Sequence, residues 1–300
     1  MKRTLSILSA LFIFLSAFGQ ENLGLRTLVI DAGHGGKDSG AISKDKSTYE
    51  KNLNLDIARK LQRLIQATYP EVKVIMTRDK DEFIELAERA DIANRNNANL
   101  FLSIHINSTT GTKANGYSVH VLGQSSVKDR DLFAYNMDVV KRENAVMYLE
   151  DDYSTKYRGF DPDNTSSFIF MQLMQSANLE QSLDFAQIIA DNMKSGPIKV
   201  NRGIWQNPFY VLWKTSMPAV LVELGFISNS QDLSSLRNES CRDALASILF
   251  KSFCEYKEKY DSSMSIQKDE TKAEKPVEKA EEKATETVDK PTFQVERRNK

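Results

Sequence analysis

The sequence predicts an α/β fold: a single domain in which a mixed, mainly parallel sheet is flanked by helices on both faces. Three short apolar runs, at residues 28–30, 100–106 and 218–223, are typical of strands that are covered on both sides. The segments between them place apolar residues at helical spacing. Strands that alternate with helices need crossover connections, and crossovers make neighbouring strands parallel. We therefore expect one sheet with a helix layer on each face.

The same two periodicities predict the other elements. Leucines and isoleucines lie on one helical face of residues 49–68, Glu50 stands in the first turn, and Pro70 ends the helix. A run of Asp, Gly, Pro, Asn and Ser interrupts the long helical stretch at 124–195. The predicted elements are a strand at 28–30, a helix at 49–68, a strand at 72–77, a helix at 83–97, strands at 100–106 and 116–122, a helix at 166–193, strands at 205–213 and 218–223, and a helix or helix pair at 231–260.

Both ends of the chain differ in composition from the part between them. Residues 1–19 have a basic start, an apolar centre and small residues before a cleavage point, which predicts a signal peptide and, in a bacterial setting, a periplasmic protein. A membrane anchor is the alternative, but the apolar run is shorter than the roughly 20 residues of a spanning helix. Residues 20–260 are the predicted folded domain. Residues 261–300, rich in Lys, Glu, Thr, Ala and Pro, are predicted to be a disordered charged tail.

The net charge of the chain limits the kinds of molecule that it is expected to bind, and its cysteines limit the residues that could bind a metal. The chain has 40 Lys and Arg against 41 Asp and Glu, so its net charge indicates neither nucleic acid nor an acidic membrane surface as partner. Cys241 and Cys254 lie in the last predicted helix, roughly 20 Å apart at about 1.5 Å per residue, which is too far for a disulfide. A metal site would therefore use carboxylates and the three histidines, His34, His105 and His120.

Four polar side chains stand where predicted strands end or a helix begins. His34 follows the first strand in a glycine-rich loop, His105 ends the strand at 100–106, Glu223 ends a later strand, and Glu50 begins the first helix. Strand carboxyl ends in an open α/β sheet meet at the edge where ligands bind. Two imidazoles and one carboxylate suit Zn²⁺ with a fourth position left for water. A second carboxylate, Glu223, can accept the proton of that water, as amide hydrolysis requires.

Each of these assignments has a less specific alternative. His120 lies between two valines and is expected to be a buried side chain on the opposite face of its strand rather than a ligand. Glu223 alone would suit a helix cap or a salt bridge, but its place among histidine-tipped strands favours catalysis. Asp31 is expected to orient the glycine-rich loop or His34 itself. A nucleotide-binding loop is excluded because the glycines do not match the dinucleotide pattern.

The order and spacing of these motifs carry a resemblance to a known family. The sequence resembles the zinc-dependent N-acetylmuramoyl-L-alanine amidases of the amidase type 3 family over residues 25–260. The matching motifs, in family order, are IDAGHGGKDSGA, Glu50, MTR at 76–78, L-x-x-R-x-x-I-A-N at 86–94, LFLSIHIN and MPAVLVELGFISN. Together these motifs are specific, whereas the glycine-rich loop alone would be weak evidence.

The resemblance implies a site, a substrate and a reaction. His34, Glu50 and His105 would bind Zn²⁺, and Glu223 would be the catalytic residue. The substrate would be peptidoglycan, cleaved at the amide between the lactyl group of N-acetylmuramic acid and the L-alanine of the stem peptide. Residues 20–260 would be the catalytic domain. The alternative is a cell-wall-binding module that keeps the fold without the chemistry, which the intact set of four residues disfavours.

The resemblance also indicates a regulatory segment. Residues 138–175 make the chain longer than the shortest family members, and some relatives use a helix at this point to cover the zinc site until a partner moves it. The acidic candidates for such contact are Glu143, Glu150, Asp151 and Asp152. We expect either a gate of this kind, on which an activator protein acts, or a solvated charged helix.

Two further pairs of residues lie within the motifs or directly next to them. Arg78 and Arg89 match the family pattern and are expected to pair with nearby carboxylates or carbonyls rather than with substrate. Asn107 and Ser108 follow His105 directly and are expected to orient its imidazole or to contact substrate.

Overall fold

The computed structural model describes the backbone of residues 24–123, 130–157 and 178–285. Side chains are described at residues 24–123, 137–157 and 178–264. One compact unit comprises Leu25–Glu258, and Met1–Gly24 and Lys259–Lys300 fall in a second unit. The predicted signal peptide lies outside the described residues.

A six-stranded sheet forms the centre of the larger unit. Its strands are β1 (Thr27–Ala32), β2 (Lys73–Met76), β3 (Leu100–Asn107), β4 (Tyr117–Leu122), β5 (Asn201–Asn207) and β6 (Ala219–Phe226). The spatial order is β2-β1-β3-β6-β4-β5. Only β4 and β6 pair antiparallel; every other neighbouring pair among these strands is parallel. The predicted mixed, mainly parallel sheet is confirmed.

Helices connect the strands and follow the last one. They are α1 (Glu50–Thr68), α2 (Leu86–Arg95), α3 (Arg130–Asn144), a 3₁₀ turn (Ala145–Leu149), α4 (Tyr153–Lys156), α5 (Leu179–Met193), α6 (Tyr210–Trp213), α7 (Ser230–Arg237) and α8 (Glu239–Thr285). No helix in the described part of the chain is long and apolar enough to span a bilayer. Both cysteines are free, in line with their predicted separation.

Apolar side chains cover both faces of the sheet. On one face, Val29, Phe101 and Leu221 belong to a core cluster that includes the α6 turn. On the other face, Leu28 and Leu102 are also buried. A fully buried side chain of this size stabilises the fold by about 1.5–3 kcal/mol. The result is a rigid sheet whose carboxyl edge holds the polar residues described below.

Several predicted boundaries differ from the structure. The strand predicted at 205–213 is wrong in its second half, because Pro208 has no N–H to continue the ladder and Tyr210–Trp213 form a helical turn. The predicted helix at 166–193 is described only from Leu179, and its first part lies outside the described residues.

The last helical stretch continues beyond its predicted end at residue 260. The last helical stretch is a pair of helices, and the second runs to Thr285. It therefore enters the tail at 261–300 that composition predicts to be disordered, since Lys, Glu and Ala are also strong helix formers.

Candidate active site

The polar residues predicted from the sequence converge at the carboxyl edge of the sheet. His34 lies just beyond the end of β1, and His105 of β3 is the register partner of Glu223 in the neighbouring strand β6. Glu50 is the first residue of α1, and its amide donates to Ala41 O in the glycine-rich loop at 2.9 Å. All four predicted side chains are buried.

Three of these side chains point ligand atoms at one another. His34 Nε2 lies 3.1 Å from Glu50 Oε1, and His105 Nδ1 lies 3.2 Å from the same oxygen. Glu50 is fixed in turn, because Oε2 accepts from Ala41 N at 2.8 Å and Oε1 from Ile106 N at 2.9 Å. The carboxylate is thus held between the glycine-rich loop and the end of β3.

Glu143, near the end of α3, completes a buried cluster of four. Its Oε2 lies 3.1 Å from His34 Nε2 and 3.1 Å from His105 Nδ1. One ligand atom from each of His34, Glu50, His105 and Glu143 falls within 4.8 Å of all the others. A cavity of about 20 Å³, close to the space of one water molecule, adjoins His34, His105 and Glu143.

The other acidic candidates of the inserted segment lie elsewhere. Asp151 and Asp152 are exposed. Glu150 is buried and accepts a hydrogen bond from Leu86 N at the start of α2. Sequence alone does not separate Glu143 from these three, because the contact depends on how α3 crosses the sheet.

Asp38 fixes the orientation of His34, a role that sequence reasoning gave in part to Asp31. Asp38 Oδ2 lies 2.7 Å from His34 Nδ1, so this ring nitrogen carries a proton and Nε2 is the nitrogen that faces the cluster. His34 itself has φ of 62°, an uncommon conformation for a residue with a Cβ. The signal that could have identified Asp38 is an acid four residues after a loop histidine.

Two arginines hold the backbone around His34, as predicted from their place in the sequence. Arg89 donates to Asp31 Oδ1 at 2.7 Å, and to Ala32 O and His34 O at 3.0 Å. Arg78 donates to Ala32 O at 2.8 Å and to Gly33 O at 2.9 Å. Asp31 therefore orients the loop through Arg89 and does not contact the His34 ring.

Glycine is required at two positions that border the cluster. A Cβ on Gly33 would overlap the His105 ring. Gly40 has φ of 60°, and a Cβ there would come within 2.7 Å of Glu50 Oε2 and closer still to the ring of His34. The glycine-rich loop thus makes room for the imidazoles and the carboxylate.

Without a metal ion, the neighbouring carboxylates favour the charged form of both histidines of the cluster. Burial lowers the pKa of His105, but the neighbouring Glu143 carboxylate outweighs it and raises the pKa to about 9. Burial likewise lowers the pKa of His34, and Glu50 and Glu143 raise it well above its usual range. For Glu143, burial favours the neutral acid, but Arg142 and the two histidines shift the pKa well below its usual range.

The donor set fits a Zn²⁺ ion. Imidazole nitrogens and carboxylate oxygens are common zinc ligands. His34 Nε2 and Glu143 Oε2 are buried and have no hydrogen-bond partner among the described residues. Unsatisfied buried polar atoms are rare, and a cation between them would satisfy both. With Glu143 included, the protein offers four ligands, whereas a catalytic zinc site normally offers three and leaves one position open.

Glu223 lies beside the cluster in surroundings that disfavour its ionised form. It is fully buried, and neither of its oxygens has a hydrogen-bond partner in the described part of the chain. Its nearest cation is Arg142, whose Nη2 lies 3.7 Å from Glu223 Oε1. Burial, followed by the charge of Glu143, raises the pKa of Glu223 to about 8.

Arg142 ties the end of α3 to the end of β3. It donates to Ser108 O at 2.6 Å and to Asn107 Oδ1 at 3.2 Å. It also donates to Glu143 Oε1 at 2.8 and 2.9 Å. Asn107 and Ser108 therefore serve, in this conformation, as attachment points for the helix that carries Glu143.

His120 does not belong to the cluster. Its Nδ1 accepts from Asn207 Nδ2 and its Nε2 lies on Ser118 Oγ, both at 2.9 Å. Burial lowers its pKa to about 3, so it is neutral. Across β4 and β6, Ser118 pairs with Glu223 and His120 pairs with Leu221. His120 therefore lies on the same face of the sheet as Glu223. His120 is a buried strand residue whose side chain lies on the face opposite to those of Val119 and Val121, as its place between two valines predicts.

A family model of N-acetylmuramoyl-L-alanine amidases matches residues 28–253, about three quarters of the chain. The chain belongs to the amidase type 3 family. The resemblance seen in the sequence is thereby confirmed. N-acetylmuramoyl-L-alanine amidase AmiA of Escherichia coli K12 is 30% identical over 245 residues, which cover 82% of this chain and 81% of that protein.

Two further family members illustrate the range of relatives. The probable amidase AmiB of Haemophilus influenzae is 29% identical over 243 residues, covering 80% of this chain. The chain spans only about half of that longer protein, since the match covers 54% of it. The structure of the CwlD amidase from Clostridioides difficile, in complex with the GerS lipoprotein, matches with a TM-score of 0.55 and 26% identity. That match covers 77% of this chain and 98% of CwlD.

Proposed function

We propose that the chain is a zinc-dependent hydrolase of peptidoglycan. The bond cleaved is the amide between the lactyl group of N-acetylmuramic acid and the L-alanine of the stem peptide. The observation that supports this most strongly is the buried donor set of His34, Glu50 and His105, with Glu223 in register beside His105. Membership of the amidase type 3 family supports the choice of bond.

The side chains divide the work of amide hydrolysis. His34, Glu50 and His105 would hold Zn²⁺, which when bound polarises a carbonyl and lowers the pKa of water. Glu223 accepts a proton from the attacking water and passes it to the leaving nitrogen. The water oxygen bonds to the lactyl carbonyl carbon and the C–N bond breaks. The products are a glycan with a free lactyl carboxylate and a peptide with a free L-alanine amine.

Glu143 holds the described conformation inactive. Its carboxylate takes the fourth donor position, where a catalytic zinc site leaves room for water. Movement of α3 would open that fourth position. We assign residues 138–175 this gating role.

An activator protein is the partner that such a gate implies. Its binding to the inserted segment would draw Glu143 away from the two histidines. The existence of a structure of CwlD with the GerS lipoprotein supports the idea that an amidase of this fold can bind a partner protein. Residues 1–19 are proposed to direct the chain to the periplasm, where peptidoglycan lies, with no membrane insertion once they are removed.

The catalytic assignment is tested by Glu223→Gln, which removes the base and keeps the size of the side chain. We expect release of stem peptides from purified sacculi to fall by at least roughly 10²-fold, while zinc content stays the same. Glu180→Gln, at an exposed position on α5, is the matched control. Full activity of the Glu223 variant would remove it from catalysis. Binding of the wall without cleavage by both the unchanged chain and Glu143→Ala would favour the wall-binding alternative.

A further inference from the structure

The segment that follows Glu143 also contacts the fold at the start of α2. Glu150 Oε1 accepts a hydrogen bond from Leu86 N at 2.8 Å. The Tyr157 hydroxyl accepts from Ala87 N at 3.2 Å and donates to Glu150 Oε1 at 2.7 Å. Glu150 and Tyr157 thus bind the first two amides of α2, and we refer to this pair as the α2 cap.

The α2 cap replaces a local one. Helices leave their first amides without intrahelical partners, and a nearby Ser, Thr, Asp or Asn usually satisfies them. Here Glu85 precedes the helix and its side chain makes no capping hydrogen bond. The groups that satisfy Leu86 N and Ala87 N come from 64 and 70 residues further along the chain. A carboxylate at this end is also favoured by the helix dipole.

The helix that is capped in this way supports the metal-binding loop. Arg89, in the first turn of α2, donates to Asp31 Oδ1, Ala32 O and His34 O. The segment from Glu143 to Tyr157 therefore contacts the site at both of its ends. One end reaches the histidine rings directly, and the other reaches the His34 loop through α2.

We propose that the α2 cap is a latch that holds the gate closed, with Glu150 and Tyr157 as positioning residues for Glu143. This inference rests on the gating role proposed above for Glu143. Because Glu143 and the cap lie on one continuous stretch of helix and turns, release of the cap frees that stretch at its far end. Opening of the site then uncaps α2, which carries Arg89.

The buried state of Glu150 suits a latch that must open. Its side chain is fully buried, yet Oε2 has no hydrogen-bond partner among the described residues. The closest cation, Lys156 Nζ, lies 3.9 Å from Oε2 and also pairs with Glu85. An unsatisfied carboxylate oxygen away from water is costly. The cap therefore contributes a modest net stabilisation, which a binding partner can overcome.

The test compares Glu150→Ala and Tyr157→Phe with Asp151→Ala, an exposed neighbour, in the full chain. Hydrogen exchange is measured in peptides that cover residues 86–87 and 137–144. Loss of the cap should speed exchange in both regions by roughly tenfold, equivalent to about 1.4 kcal/mol, while the control changes neither. Glu150→Gln keeps an acceptor oxygen for Leu86 N, so it should restore most of the protection.

Two outcomes separate the latch from the gate. Faster exchange at 86–87 with unchanged exchange at 137–144 would overturn the latch, because the cap would then stabilise α2 alone. Tyr157→Phe keeps the ring and its volume, so this comparison holds even if Glu150→Ala fails to fold. Faster exchange at 137–144 without any rise in basal hydrolysis would support the latch and count against occlusion by Glu143.

Discussion

Glu143→Ala is the substitution for which the structure gives the largest expected gain of activity. The contacts that the Glu143 side chain adds on closure are those of its Oε2 with His34 Nε2 and His105 Nδ1, both at 3.1 Å. The bonds from Arg142 to Oε1 lie within α3 and are kept when the helix moves. The variant therefore removes two contacts that only the closed state makes.

The size of the effect follows from these two contacts. Both are ion-pair contacts between an imidazole and a carboxylate, and we take the two together as worth about 1.5–3 kcal/mol, the range for a polar contact that involves a charged group. A shift of this size changes the ratio of open to closed molecules by roughly 10- to 100-fold. Basal hydrolysis of dye-labelled sacculi, without any partner protein, should rise by the same factor as long as the open form is the minor one.

Two controls make the assay decisive. Asp138→Ala, at an exposed position on the same helix, should leave basal hydrolysis unchanged. Zinc content should remain that of the unchanged chain, because His34, Glu50 and His105 are intact. Equal or lower hydrolysis by a folded, zinc-loaded Glu143→Ala variant would refute occlusion by this carboxylate.

Three other predictions concern the metal centre and its supports. Gly33→Ala should reduce zinc content, because the added Cβ overlaps the His105 ring, whereas Gly111→Ala, whose Cβ comes no nearer than 4.0 Å to Thr109 Oγ1, should not. Asp38→Ala should weaken zinc affinity by about 10- to 100-fold in a chelator competition, since it leaves His34 Nδ1 without its acceptor. When a chelator has removed the metal, the pKa of His105 is higher in the folded protein than in the unfolded chain. The stabilisation of the folded state by charged His105 is therefore complete below about pH 6.5 and is lost as the pH rises through about 9. The midpoint of thermal unfolding should fall over that interval; a midpoint that stays constant or rises would contradict the charge assigned to this ring.

The sequence predicts the sheet and the meeting of four site residues for the same reason. Apolar runs mark the buried strands. The carboxyl ends of parallel strands lie at the same edge of the sheet, so polar residues at those ends meet there. His34, His105 and Glu223 obey this rule, and Glu50 follows because its helix starts from the glycine-rich loop. Local pattern and topology therefore agree at this edge.

The parts that escaped prediction depend on contacts between distant segments. Glu143 reaches the histidines because Arg142 fastens α3 to Ser108 O, 34 residues away in sequence. Glu150 is buried because α2 lacks a local cap. Neither contact leaves a periodic or local pattern in the sequence. The four acidic side chains of this segment therefore could not be told apart as candidates for the contact with the histidines. The α6 turn was missed because an aromatic run after Pro208 suits a strand as well as a helix.

Identification of the bond that is cleaved tests the central claim most directly. Purified peptidoglycan is digested with the zinc-loaded Glu143→Ala variant, and the soluble products are analysed by mass spectrometry, with Glu143→Ala/Glu223→Gln as the matched control. The proposed function predicts stem peptides that begin with a free L-alanine amine and glycans that carry intact lactyl carboxylates, both absent from the control. Cleavage at any other bond, or the same products from the control, would contradict it.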